Sequence, residues 1–162
     1  MIAKLIFASS LALATMTLSA AAQSPPAPYG APITLEAAKK AMAAAEAEAV
    51  KNNWQVVIAI VDSAGQLVMM QRMGAQYASI GIAEGKAKTS VDFRRPTKAL
   101  EDVIASGGAG LRLLSLNSAT PLEGGIPIIA DGKIIGGIGV SGVTSQQDAQ
   151  VAKMGADAAI AK

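Results

Sequence analysis

Between Gly124 and Gly142 the chain reads GGIPIIADGKIIGGIGVSG. Two apolar runs flank Asp131-Gly132, a dipeptide that closes two-residue hairpins. Strands with apolar residues on both faces must be covered on both sides. Glycine recurs where a strand ordinarily carries bulk, and glycine inside a strand marks the close approach of another backbone or of a ligand. Simple alternation puts Ile134, Gly136, Ile138 and Val140 on one face and Lys133, Ile135, Gly137, Gly139 and Ser141 on the other. Gly137 and Gly139 then form a patch without side chains. A helix or a sister subunit would fill it, and so would a flat ligand. A phosphate loop is not indicated, because GGIGVSG has neither the GxGxxG spacing nor the lysine of a P-loop.

The rest of the chain supplies layers for such a sheet. Thr34 is an N-cap for an alanine-rich helix that ends at Asn52 and Asn53. WQVVIAIVD, from Trp54, is a strand covered on both sides, and SAG returns it through QLVMMQRM, giving a hairpin over about 55–72. A helix is expected from about Tyr77 to Val91. Its Gly81 and Gly85 share one face and each weakens it by about 1 kcal/mol relative to Ala, which points to close packing there. Pro96-Thr97 opens a second helix that Gly107-Gly108 stops. AGLRLLSLNSATPLE reads as irregular, with room for a short strand around Leu111 to Leu116. Thr144, with Gln147 three residues on, makes a capping box for a last helix. Hairpins and blocks of helices together imply an α+β single domain, a central antiparallel sheet of about five strands flanked by helices.

The first residues are not expected to join that domain. MIAKLIFASSLALATMTLSAAAQ has a basic start at Lys4, an apolar stretch from Leu5 to Leu18 and small residues before Gln23. This is the pattern of a cleaved secretory signal, residues 1–22, rather than of a membrane span of about 20 apolar residues. The expected product is periplasmic or secreted, with no stable membrane anchor after cleavage. Residues 23–33, QSPPAPYGAPI, read as an extended, poorly ordered Pro-rich linker, and the domain is expected over 34–162.

Composition then prunes the chemistry. The chain has 162 residues, no cysteine and no histidine. That excludes disulfides, thiolate metal sites, histidine-based triads and histidine ligands. A net charge of +2 without a basic aromatic stripe argues against nucleic acid. Asp62 is placed to cap the Ser63-Ala64-Gly65 turn, and Asp148 to favour the start of the last helix. Lys86 or Lys88 could form an imine with a small organic acid's carbonyl, but no spacing requires an enzyme, and no catalytic residue is assigned. Lys86, Lys88, Arg94, Arg95 and Lys98 form a basic stretch. Within it a Glu84–Lys88 pair is the bland alternative. Arg95, beside the helix start at Thr97, is the best candidate for a carboxylate.

The stretches VVIAIVDSAGQLVMMQRM, SIGIAEGKAKTS, RRPT, GGIPIIADGKIIGGIGVSG and QQDAQVAK occur in an order and spacing that resemble the GlcG/HbpS family, relatives of the C-terminal domain of PduO-type proteins. The likeness covers about Ile33 to Ala161. It implies a profilin-like, GlcG-like single domain, a homo-oligomer and, in several members, haem or corrinoid binding. It also places Thr89, in KAKTS, along the ligand pocket. A haem here would need an unusual axial ligand, and Tyr77 and Met73 are the candidates. Met69, Met70 and Met73 otherwise read as core filling, and Tyr77 as a partly buried ring. The ligand-binding set expected is Lys86, Thr89, Arg95, Thr97, Gly137, Gly139 and Ser141. The leading expectation is an exported, non-enzymatic haem-binding protein. The alternatives are a periplasmic binder or enzyme for a small carboxylate, and an oligomeric accessory protein without a small ligand.

Overall fold

In the computed structural model, which describes residues 25–161, Thr34 is extended and its hydroxyl accepts the Ala37 N–H at 3.2 Å. This starts α1, Leu35–Lys51. Strand β1, Val57–Asp62, turns into β2, Leu67–Arg72. The Asp62 carboxylate holds that turn by accepting the N–H groups of Ala64 at 2.8 Å and Gln66 at 2.9 Å. Next come α2, Ala78–Asp92, and α3, Lys98–Ala105. Strands β3, Gly125–Ala130, and β4, Lys133–Ser141, form the second hairpin, and α4, Ser145–Ala159, follows with the expected Thr144–Gln147 capping box.

The two hairpins join along β1 and β4. The strand order is β2-β1-β4-β3, antiparallel throughout, with Val57 opposite Ser141 and Asp62 opposite Gly136. Helices α1 and α4 cover one face, packing Ala41, Ala45, Val151 and Ala152 onto Ile58, Ile60, Ile138 and Val140. Helix α2 covers the other, packing Ala83, Ala87 and Val91 onto Val57, Ala59 and Val61. The layers on the α1/α4 side are also linked by a polar contact. Glu48 of α1 is buried and accepts from Gln150 of α4 at 2.6 Å and from Asn52 at 2.9 Å. The bond from Gln150, followed by that from Asn52, holds the Glu48 carboxyl below its ordinary value of 4.5. A depressed acid stabilises the fold above its unfolded value, and that stabilisation is lost as the pH falls through the folded one.

Among the described residues the sheet has four strands rather than about five. The residues around Leu111 to Leu116 lie in a 3-10 helix, Gly108–Ser115. Gly107 and Gly108 enter it with φ of 70° and 54°, which breaks any extended entry. The nearest thing to a fifth strand is the segment read as a poorly ordered linker. Gly30 N–H donates to the Ile134 carbonyl at 2.8 Å, Ile134 N–H to that of Pro28 at 2.8 Å, and Ile33 N–H to that of Ile135 at 2.7 Å. Tyr29 thereby bridges Ile134 in a parallel sense, and its hydroxyl donates to the Val91 carbonyl at 3.0 Å. This strap continues along β4 past the point where its pairing with β1 stops, at Asp62–Gly136. The signal-like residues lie outside the described residues.

Simple alternation also fails at the start of β4. The register shifts between Ile128 and Ile129, and an extra residue reverses which face a side chain meets. Ile134 packs with the α2 layer and Ile135 with the α1/α4 layer, the reverse of the alternating expectation. Beyond the irregularity, Gly137 and Gly139 do share a face, and α2 fills it. A Cβ on Gly137 would sit 2.7 Å from Ser90 Oγ and 2.8 Å from the Ala87 carbonyl oxygen. One on Gly139 would collide with the Ala83 carbonyl and lie 3.1 Å from Ala87 Cα. The patch is therefore the seat of a helix and is not open to a ligand.

The contrast with Gly81 gives a test. An added Cβ there meets nothing within 4 Å. Gly139→Ala should lower unfolding stability by about 3 kcal/mol through overpacking, whereas Gly81→Ala should raise it by ~0.8 kcal/mol through helix propensity. Urea unfolding of both variants measures the difference.

Candidate functional site

Helix α2 presents small and apolar residues to the sheet, with one charged exception. Lys86 lies on the same buried face as Ala83, Ala87 and Ser90, and is only 2% exposed. A charged group there needs a partner. Its ammonium donates to the Val140 carbonyl and to Asp148 Oδ2, each at 2.9 Å. Asp148, from the start of α4, is also buried, and its Oδ1 accepts the Val143 N–H at 3.2 Å. The pair passes the end of β4 and ties the helix on one face of the sheet to a helix on the other. Gly124 makes room for it, since a Cβ there would lie 2.9 Å from the Lys86 nitrogen.

Burial raises the Asp148 carboxyl above its ordinary value of 3.8, against the pull of Lys86 and of the Val143 and Gly142 N–H groups. An acid with a raised folded value binds its proton more tightly folded than unfolded. Ionising Asp148 thus costs stability, and that cost is relieved as the pH falls through the raised value. This lysine, 2% exposed, lacks the access that imine formation requires.

The other expected residues are also engaged. Thr89 is buried, and its hydroxyl accepts the Thr120 N–H at 2.8 Å. Thr97 is buried, and its hydroxyl accepts the Gly125 N–H at 2.9 Å and makes no cap on α3. Ser141 is buried opposite Val57. Lys88 pairs with Asp92 at 3.3 Å rather than with Glu84. Arg95 is exposed, and its Nε donates to the Phe93 carbonyl at 3.1 Å. The expected set therefore splits: Lys86, Thr89, Thr97, Ser141, Gly137 and Gly139 build the interior, and Arg95 alone remains on the surface.

The two proposed axial ligands part in the same way. Met73 is half-buried against the α1/α4 core. Tyr77 is 78% exposed at the entry to α2, contrary to the partly buried ring expected of it. The Arg72 guanidinium lies 4.3 Å from its ring centroid, and Arg72 Nε donates to the Ala75 carbonyl at 2.8 Å. One helical turn beyond Tyr77, the surface is bare at Gly81. Gly85, a further turn on, is instead covered by Thr120. Sequence reasoning missed Arg72 and the role of Asp148. A lysine on the small-residue face of α2 is the signal for a buried partner, but it does not say which acid supplies it. Among the described residues, no cluster of three or more His, Cys, Asp or Glu side chains could hold a metal ion.

With this arrangement established, comparison with known proteins is decisive on kinship. The family model described as "Haem degrading protein HbpS-like" matches residues 33–157. The chain belongs to the HbpS-like family. It is 43% identical over 111 residues to Protein GlcG of Escherichia coli K12, covering 67% of this chain and 81% of that protein. A crystal structure of a Streptomyces reticuli HbpS double mutant superposes with a TM-score of 0.72 at 32% identity, covering 92% of this chain and 97% of the other. The crystal structure of a PduOC:Heme complex superposes with a TM-score of 0.72 at 31% identity, covering 78% and 94%. This HbpS-like chain thus keeps the family's α+β frame while offering no histidine to a tetrapyrrole.

The ion pair generates a double-mutant prediction. Asp148→Ala should cost about 3–5 kcal/mol, because it strands a buried ammonium. Combining Lys86→Met with Asp148→Leu should recover most of that loss, since apolar replacement of a buried pair is often neutral or better. Denaturant unfolding of wild type, the single variant and the pair decides this.

Proposed function

We propose that this protein is an exported tetrapyrrole-binding protein, with haem as the ligand and a corrinoid as the alternative, and that it binds rather than converts what it holds. The observation that carries the reading is the Tyr77 surface: an exposed phenol, a guanidinium 4.3 Å from its ring, and open space at Gly81 one turn along. Tyrosine is among the axial ligands that haem proteins use. Arginine suits a carboxylate such as a haem propionate. The residues present therefore fit the group: Tyr77 would hold the iron, and Arg72 a propionate. Haem would bring the redox and ligand-exchange chemistry of its iron, and this chain's part is to bind and orient it. Membership of a family described as haem degrading and the haem complex of a structural relative support haem as the ligand.

Binding without turnover is supported by the state of the ionisable groups. Lys86 and Asp148 neutralise each other inside the fold, and Asp62 is occupied with its turn. A small carboxylate held at Arg95 is the second reading, favoured by that side chain's exposure. Export is supported by the N-terminal sequence pattern. Among the described residues no helix is long and apolar enough to cross a membrane. Self-association of the domain completes the proposal.

Two measurements test it. Haemin titrated into purified protein should give a saturable Soret shift, and Tyr77→Phe should weaken binding at least tenfold and change the spectrum, whereas Arg95→Ala should not. A spectrum that only follows free haemin would end the tetrapyrrole reading, and a carboxylate-dependent rise in Tm, lost in Arg95→Ala, would then support the second. For export, the intact mass of protein recovered from the periplasm should correspond to a chain beginning at Gln23. Full-length protein retained in the cytoplasm would overturn that part.

A further inference from the structure

If Tyr77 holds the metal of a tetrapyrrole, the donors around it decide which metals it can hold. Its ring is 78% exposed, with the Arg72 guanidinium 4.3 Å from the centroid. Arg72 is anchored in turn, since its Nε donates to the Ala75 carbonyl at 2.8 Å. A guanidinium carries donors only, so it has no lone pair to give a metal. One turn along α2, Gly81 adds no side chain.

In a chain without histidine or cysteine, methionine sulfur and lysine nitrogen are the alternatives to oxygen. The fold withholds both from this surface. Met42 is buried, and Met69 and Met73 pack with the α1/α4 core. Met154 is on α4, which covers the opposite face of the sheet. Met70 is half-buried on the α2 side and packs against the core there. Of the lysines on α2, Lys86 is closed in its ion pair, and Lys88 pairs with Asp92 about 16 Å along the helix from Tyr77. Glu84, the one acid between Tyr77 and Lys88, is another oxygen donor.

We infer that Tyr77 makes this surface selective for the charge of the metal: a tetrapyrrole with a trivalent centre is held, and the same ring with a divalent centre is not. This rests on the tetrapyrrole reading and says what governs hold and release at that site. A tyrosine that ligates gives its proton to solvent and presents a hard, anionic oxygen. Its attraction for the metal grows with the metal's charge. Imidazole and thioether, softer donors that suit lower-valent centres, are not presented here. Ring contacts and a propionate at Arg72 are the same for either charge, so Tyr77 alone discriminates. An external one-electron donor that reduces the held metal is itself oxidised, and Tyr77 then takes back a proton and lets the ring go. By linkage, a preference of about 100-fold lowers the midpoint potential of the held metal by about 120 mV, at 59 mV per tenfold.

Gallium(III) and zinc(II) protoporphyrin IX share one ring and both propionates, and neither metal changes oxidation state. Each is titrated into purified wild type and Tyr77→Phe. Gallium(III) should bind wild type about 100-fold tighter than zinc(II). Tyr77→Phe should bring that ratio close to one by weakening gallium(III) alone, with an unchanged circular dichroism spectrum. If both porphyrins bind wild type equally and both weaken in Tyr77→Phe, the tetrapyrrole reading stands and the selectivity is overturned. If the gallium(III) preference survives in Tyr77→Phe, another residue sets it and the inference fails. If neither porphyrin nor haemin binds wild type, the tetrapyrrole reading fails and takes the inference with it. Haemin-loaded wild type gives a second readout by spectroelectrochemistry. A midpoint potential about 120 mV below that of free haemin supports the selectivity, and an equal potential overturns it.

Discussion

How closely α2 approaches β4 controls nearly everything else in this molecule. Side chains on Gly137 and Gly139 would occupy the volume of Ala83, Ala87 and Ser90. The helix can sit there only because both surfaces are stripped, the strand to glycine and the helix to alanine and serine. With 3% aromatic residues the chain has few large groups to fill wide gaps, so close approach replaces bulk. Dispersion between many closely placed atoms compensates for the small area that each one buries.

That closeness also explains the buried ion pair. Once α2 lies this near the sheet, a long side chain on its inner face has nowhere to go except along the end of β4. Lys86 follows that route to the Val140 carbonyl and Asp148. The residue is therefore a fastener between layers. The same geometry explains why so many residues with chemical potential are silent. Thr89 and Thr97 fix the 120–125 segment through the N–H groups of Thr120 and Gly125. Arg95 and Tyr77, the latter at the entry to α2, stay exposed outside this packing.

Much of this frame was legible in the sequence, for local reasons. Thr34 and Thr144 announce their helices because a cap is a contact between near neighbours, and Asp131-Gly132 announces its hairpin for the same cause. Two of the stretches that carry the family likeness, SIGIAEGKAKTS and GGIPIIADGKIIGGIGVSG, meet where α2 packs on β4. Three things were hidden. The irregularity beside Ile128 exchanged the faces of Ile134 and Ile135 without leaving a compositional mark. The Leu111–Leu116 run has strand-like residues, yet two glycines with positive φ wind it into a 3-10 helix. And the engagement of Lys86 depends on Asp148, 62 positions away, a distance over which residue order alone carries no geometry.

The strap at residues 28–33 bears on how the chain comes to be folded. It lies beside β4, so a segment near the start of the described residues is fastened to one of the last to be made. During synthesis Pro28 to Ile33 have no strand to join until Ile134 and Ile135 have emerged, and closing so long a loop is slow compared with forming either hairpin. The amino-terminal end of the domain is thus left as a free handle through most of translation. Docking the strap, with the Tyr29 hydroxyl on Val91, therefore requires β4 to be in place.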